Sequence, residues 1–134
     1  MFDWNEFLIL AHRLLQDQNK NEAYYRSAIS RAYYALYHRS RDFCRFFNIQ
    51  LPLSVIINGK PEISNHLVLI HTFKNHSSPC LNAFGRKLNT LRNKRNIADY
   101  DENYYSTNNI NIESEASLVI QDAKSLKTSM LNYS

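Results

Sequence analysis

The sequence predicts an all-α fold: an up-and-down bundle of about five helices in a single domain spanning residues 1–134. Three observations carry this. Apolar residues recur at helical spacing along most of the chain. The chain holds only 2 glycines and 3 prolines, too few for the turns of a β-sandwich or barrel. Its 134 residues, 44% of them hydrophobic, supply one core of ordinary size.

The first helix is expected to start at Asp3, with Glu6 three residues on as a capping box and Phe2 against Phe7 as a hydrophobic staple. Phe7, Leu8, Leu10, Ala11, Leu14 and Leu15 then recur in phase, and the helix should end near Gln18. Asn19 with Glu22 offers a second capping box. The helix behind it is long and should reach Phe47. Ala28, Ala32, Ala35 and Leu36 form a small-residue stripe, widened by Tyr25, Ile29, Tyr33 and Phe43. Small side chains let a neighbouring backbone approach closely, which places this helix at the centre of the bundle.

Residues 49–64 contain Pro52, Gly59 and Pro61 and read as a loop with room for a short strand or turn. A shorter helix follows over 65–75 with Leu67, Leu69, Ile70 and Phe73. Ser78-Pro79 is a strong helix start, a cap followed by proline at the first helical position. That helix runs to Tyr100, with Leu81, Phe84, Leu88, Leu91, Arg95 and Ala98 in phase. Gly85 inside it costs about 1 kcal/mol against alanine and marks a kink or a close contact. Residues 101–111 are polar and read as a loop. A last helix over 111–131 carries Ala116, Val119, Ile120, Ala123, Leu126 and Met130.

The net charge is +4, and its distribution matters more than its size. Between Phe43 and Ala98 Glu62 is the only acid, against Arg45, Lys60, Lys74, Arg86, Lys87, Arg92, Lys94 and Arg95. Such a middle either attracts phosphates or forms a solvated helix face. Cys44 and Cys80 are isolated, and neither a signal peptide nor a run of about 18 apolar residues is present. A cytoplasmic location and no membrane contact are therefore expected. His66, His71 and His76 are five apart, each rotated by about 140° from the last, so no metal site is expected. No phosphate-cradling glycine loop and no serine triad are present, and no cofactor is expected.

Two segments carry the chemistry. Ser27–His38 reads SAISRAYYALYH, with Tyr24, Ala28, Arg31, Ala35 and His38 on one stripe. An arginine among alanines needs a counter-charge or a polar cleft. Arg92–Tyr100 reads RNKRNIADY, with Arg92, Arg95 and Asp99 on one face and Arg95 within ion-pair reach of Asp99.

Together these segments resemble the HEPN superfamily, most closely the small prokaryotic HEPN proteins encoded beside minimal nucleotidyltransferases. That group shows a "SAxxRAYYAxxH"-like stretch on one helix and an "RNxADY"-like stretch on another. The resemblance implies an RNA-directed protein, a toxin or defence component of a toxin–antitoxin-like system with metal-independent ribonuclease activity. The alternative is a non-catalytic HEPN module that binds a nucleotide, RNA or a partner nucleotidyltransferase. It further implies a homodimer, or pairing with a related HEPN domain, through the two motif helices. The tyrosine-rich second helix, one of several sources of the 9 tyrosines, points the same way because it is expected to expose aromatic surface. A nucleotidyltransferase antitoxin is the further implied partner.

The family's ribonucleases carry an arginine, four to six residues, then a histidine. Here Arg95 leads to Tyr100 and Arg92 to Asp99, so the histidine is missing. A phenol is a poor base at neutral pH, and a carboxylate facing an arginine is a weakened one. The candidate catalytic residues are Arg95, Asp99 and Tyr100. Candidate RNA- or nucleotide-binding residues are Arg31, Arg92, Asn96 and His38, with His38 reaching the same cleft from the other motif. Arg31, Arg95 and Asp99 are expected to meet in one polar cleft. Ion pairs that order the bundle are the competing account of Arg31, Arg95 and Asp99. Core and interface packing is the competing account of Tyr33, Tyr34 and Tyr37.

Overall fold

The computed structural model describes residues 2–134 and shows an all-α bundle of helices with one small hairpin. The elements are α1 (Asn5–Gln16), α2 (Glu22–Phe46), β1 (Val55–Ile57), β2 (Lys60–Glu62), α3 (Asn65–Lys74), α4 (Pro79–Tyr100), α5 (Tyr104–Thr107) and α6 (Ile112–Leu131). Helix α2 is the central element: α1, α4 and α6 all pack on it, and α3 packs chiefly on α4. No helix is long and apolar enough to cross a membrane.

The small-residue stripe explains the centrality of α2. Ala28 and Ala32 are fully buried and Ala35 nearly so, opposite the equally buried Ala11 of α1. Without bulky side chains between them, the helix backbones approach closely.

Helix ends follow local chemistry, with two corrections to the expected caps and one to an expected end. At α1 the N-cap position is Trp4; the Asp3 carboxylate accepts from the Asn5 amide at 3.0 Å instead. The staple forms, with the Phe2 and Phe7 rings 5.5 Å apart. The helix stops at Gln16 because Asp17 turns extended (ψ 135°) and its carboxylate accepts from the Asn19 amide at 2.7 Å. That turn uses up residues 17–20, so Asn21 rather than Asn19 caps α2, accepting from the Tyr24 amide at 3.3 Å.

Ser78 caps α4 as expected, accepting from the Leu81 amide, with Pro79 behind it. Asn82 then clamps the end of α3 by donating to the carbonyls of Phe73, Lys74 and His76 at 2.7–3.1 Å. Gly85 marks a close contact: a Cβ there would sit 2.8 Å from the Lys74 backbone nitrogen. The 49–64 segment holds a two-stranded antiparallel hairpin whose Asn58-Gly59 turn has φ +52° and +77°. Both values suit asparagine and glycine in a two-residue hairpin turn.

The segment 101–111 is more than a loop. Its short helix α5 is held by Tyr105, which is buried under the Arg26 guanidinium 5.0 Å from its ring. Arg26 also donates to the carbonyls of Ala98, Asp101 and Glu102, closing the end of α4.

Candidate functional site

The second turn from the end of α4 places Arg95 in phase with Leu88, Leu91 and Ala98, and that stripe faces α2. Arg95 is consequently only 6% exposed. Its guanidinium lies 5.1 Å from the ring centre of Tyr33 and 5.3 Å from that of Tyr34. Cation–π attraction holds it there, but the hydrogen bonding is sparse. Nη1 donates to Tyr34 Oη at 3.4 Å and stands 3.8 Å from Asp99 Oδ2. Both distances exceed those of a good charge-assisted bond. Among the described residues, Nε of Arg95 is buried without a partner, and so is Nε of Arg92 one turn earlier. A guanidinium has five N–H donors, and of this pair's donors Arg95 Nη1 bonds Tyr34 Oη while the two Nε–H groups are buried and idle. Asp99 is shared, since Ser30 Oγ donates to its Oδ2 at 3.3 Å.

The third side of the cluster comes from α3. His66 begins a stripe with Leu69, Ile70 and Phe73 that docks inward, and its ring stacks on Tyr37 at 4.0 Å. Tyr33 Oη and His66 Nδ1 are 2.6 Å apart. Burial pushes the Tyr33 phenol far above its ordinary range, so it keeps its proton. With Tyr33 Oη as the donor, Nδ1 accepts and the neutral ring carries its hydrogen on Nε2. Burial, then the charges of Arg95, Arg92, His38 and Arg41, lowers the His66 pKa to about 4. His38 lies at the rim: its ring stacks on Trp4 at 3.5 Å and meets Tyr37 edge-on at 5.0 Å. Burial, followed by Arg41, depresses its pKa as well.

The expected site residues divide accordingly. Arg92, Arg95 and Asp99 come together, and His38 borders the same aromatic cluster. Asn96 lies half-buried on α4 beside them. Arg31 does not join them. Its exposed guanidinium lies 5.1 Å over Phe7 of α1, because Ser30 takes the position facing Asp99 and the next residue turns about 100° away. The expected three-residue cleft is thus a correction: Arg31 belongs to the α1–α2 seam. Tyr100 is a second correction. It is 79% exposed, since five residues past Arg95 is a rotation of about 140°. The third concerns the motif stretch of α2, where Tyr33 and Tyr37 are buried under α3 and α4. Large exposed apolar side chains stand instead at the C-terminal end of α2, at Phe46 (83%), and beyond it at Leu53 (95%), Ile56 (60%) and Ile63 (78%).

His66 is the functional candidate that the sequence reading passed over. Its signal was present, since positions 66, 69, 70 and 73 share one helical face. Part of the basic stretch is internally neutralised, with Lys94 bound to Glu115 at 3.0 Å. Among the described residues, no three His, Cys, Asp or Glu side chains gather as a metal ion would require. A groove of about 380 Å³ between the ends of α2 and α6 is lined by Phe43, Phe46, Phe47 and Tyr133. Its one guanidinium, Arg39, shares the lining with the Asp42 carboxylate, whereas Arg92 and Arg95 bring two guanidinium groups beside His66. Unused, fixed N–H donors beside aromatic faces are suited to an oxyanion carried by an aromatic ligand, as in a nucleotide chain.

Comparison with known proteins returns no matching family model, no curated relative and no solved structure of significant similarity.

Proposed function

We propose that this chain is an RNA-directed protein of the HEPN type that grips an RNA phosphate with Arg92 and Arg95. The observation carrying this reading is the buried Arg95 guanidinium, which has two long contacts and an unpartnered Nε. A buried cation left so under-coordinated is destabilising unless a ligand completes it. Phosphate oxygens do so through paired N–H donors. The two motif segments that resemble small HEPN proteins supply most of these groups. On that resemblance the protein acts in the cytoplasm as the toxin or defence half of a pair with a nucleotidyltransferase. It also associates as a homodimer or with a related HEPN domain. The exposed side chains of Phe46, Leu53, Ile56 and Ile63 favour the hairpin end as the contact rather than the motif helices.

Binding without cleavage is favoured by the α4 motif, where Tyr100 points to solvent and the usual histidine is missing. Metal-independent cleavage is the second reading, favoured by an imidazole, that of His66, within the same cluster. One experiment tests both: purified protein and its Arg95→Ala variant are incubated with total tRNA in a metal chelator. Retarded RNA that needs Arg95 supports the proposal, and added Arg95-dependent fragments support cleavage. RNA that neither binds nor breaks refutes the proposal.

A further inference from the structure

We infer that His66 is a third ligand-touching group of the arginine cluster, and that phosphate binding is coupled to uptake of one proton by its ring. The inference rests on the RNA-phosphate reading above and adds to it a residue and a pH dependence.

The geometry comes first. Tyr33 engages Nδ1 at 2.6 Å, and Tyr37 covers one ring face at 4.0 Å. Among the described residues nothing in the protein bonds Nε2. The ring is thus fixed in orientation, and with Tyr33 as the donor to Nδ1 it has one N–H to spare on Nε2. Every neighbouring charge acts on it in one sense. From α4 come Arg95 and Arg92, and from α2 come His38 and Arg41, all disfavouring a positive imidazole. The acid beside Arg95, Asp99, is engaged by Ser30. The neighbouring phenols of Tyr33, Tyr34 and Tyr37 are neutral when protonated.

An incoming phosphodiester reverses this balance. Its negative charge offsets the two guanidinium groups and accepts a hydrogen bond from Nε2. The imidazolium form then becomes favourable. The proton arrives from solvent at Nδ1. Tyr33 Oη, previously the donor across the 2.6 Å contact, rotates its hydrogen away and accepts. No other bond changes. By linkage, affinity strengthens as pH falls, by at most about tenfold per pH unit between the free and bound pKa values of the ring.

The test uses an oligouridylate with hydroxyl ends, whose bases and internal phosphates do not titrate between about pH 5.5 and 8. Fluorescence anisotropy gives its Kd across that range for wild type, His66→Gln and Arg95→Ala. His66→Gln keeps a neutral donor near the Nε2 position. It should lose most of the acid-side gain, so that its Kd changes little across the range. An unchanged pH slope in His66→Gln overturns the inference, while Arg95-dependent binding in the same series leaves the RNA reading standing. Wild type that fails to bind at all removes both. Should His66→Gln fail to fold, ring nitrogen NMR of wild type decides. The His66 ring is expected to be neutral alone at about pH 6 and protonated with saturating oligouridylate; a ring that stays neutral when bound contradicts the inference.

Discussion

Replacing Arg95 with methionine should make the protein more stable while abolishing its RNA binding. Arg95 is 6% exposed, so its charge has lost nearly all of its hydration. Such desolvation costs several kcal/mol per ion. The returns visible in the structure are modest. One 3.4 Å hydrogen bond to Tyr34 is worth about 1 kcal/mol at best. The 3.8 Å contact with the partly exposed Asp99 adds less than about 1 kcal/mol. The faces of Tyr33 and Tyr34 add about 1 kcal/mol each. Methionine fills a similar volume, has nearly the same helix propensity and keeps contact with both rings. Asp99 keeps its bond from Ser30. The expected gain is about 1–3 kcal/mol, a shift of roughly 1 M in the urea midpoint at neutral pH. Destabilisation by more than about 1 kcal/mol would show that Arg95 is held for the fold, and would refute the argument that it awaits a ligand.

Stability should also fall in acid through His66. Its folded pKa of about 4 lies below the ordinary 6.5, so the unfolded chain binds the extra proton. The contribution is complete above pH 6.5 and is lost as pH drops toward 4. With the ring half-buried the loss should be about 1–2 kcal/mol, read from urea curves at the two ends and largely absent in His66→Gln. Gly85→Ala should be destabilising by about 1–3 kcal/mol despite alanine's better helix propensity, because its Cβ meets the Lys74 backbone at 2.8 Å; thermal unfolding checks this. Tyr100→Phe and Arg31→Ala should each leave RNA affinity within about threefold of wild type, because one side chain is in solvent and the other lies on Phe7. A tenfold loss in either would move the site.

What was legible in the sequence is what local chemistry decides. The stripe of Leu81, Phe84, Leu88, Leu91, Arg95 and Ala98 is buried throughout, so the inward position of Arg95 followed from phase alone. The Ser78-Pro79 start and the last helix, with its buried Ala116 to Met130 face, are equally local. What stayed hidden depends on contacts distant along the chain. Helix α5 exists because Arg26 reaches carbonyls over 70 residues away. The turn at 17–20 displaced a cap from Asn19 to Asn21, a choice between two asparagines two positions apart that the pattern cannot make. Arg31 shares the alanine stripe of α2, yet its destination was set by Phe7 on another helix. His66 was judged only against the other histidines. Its place beside Arg92 and Arg95 depends on how α3 docks on its neighbours.

The central claim is that the idle guanidinium nitrogens are kept for an RNA phosphate. Arginine Nε–H resonances report on this directly, in the unmodified protein. On titration with oligouridylate, the Nε–H signals of Arg92 and Arg95, both unpartnered in the structure, should shift downfield and exchange more slowly with water. The Nε–H of Arg26, already beside Glu22 at 3.4 Å, should stay in place. Saturable RNA binding that leaves the Arg92 and Arg95 signals unmoved would contradict the account.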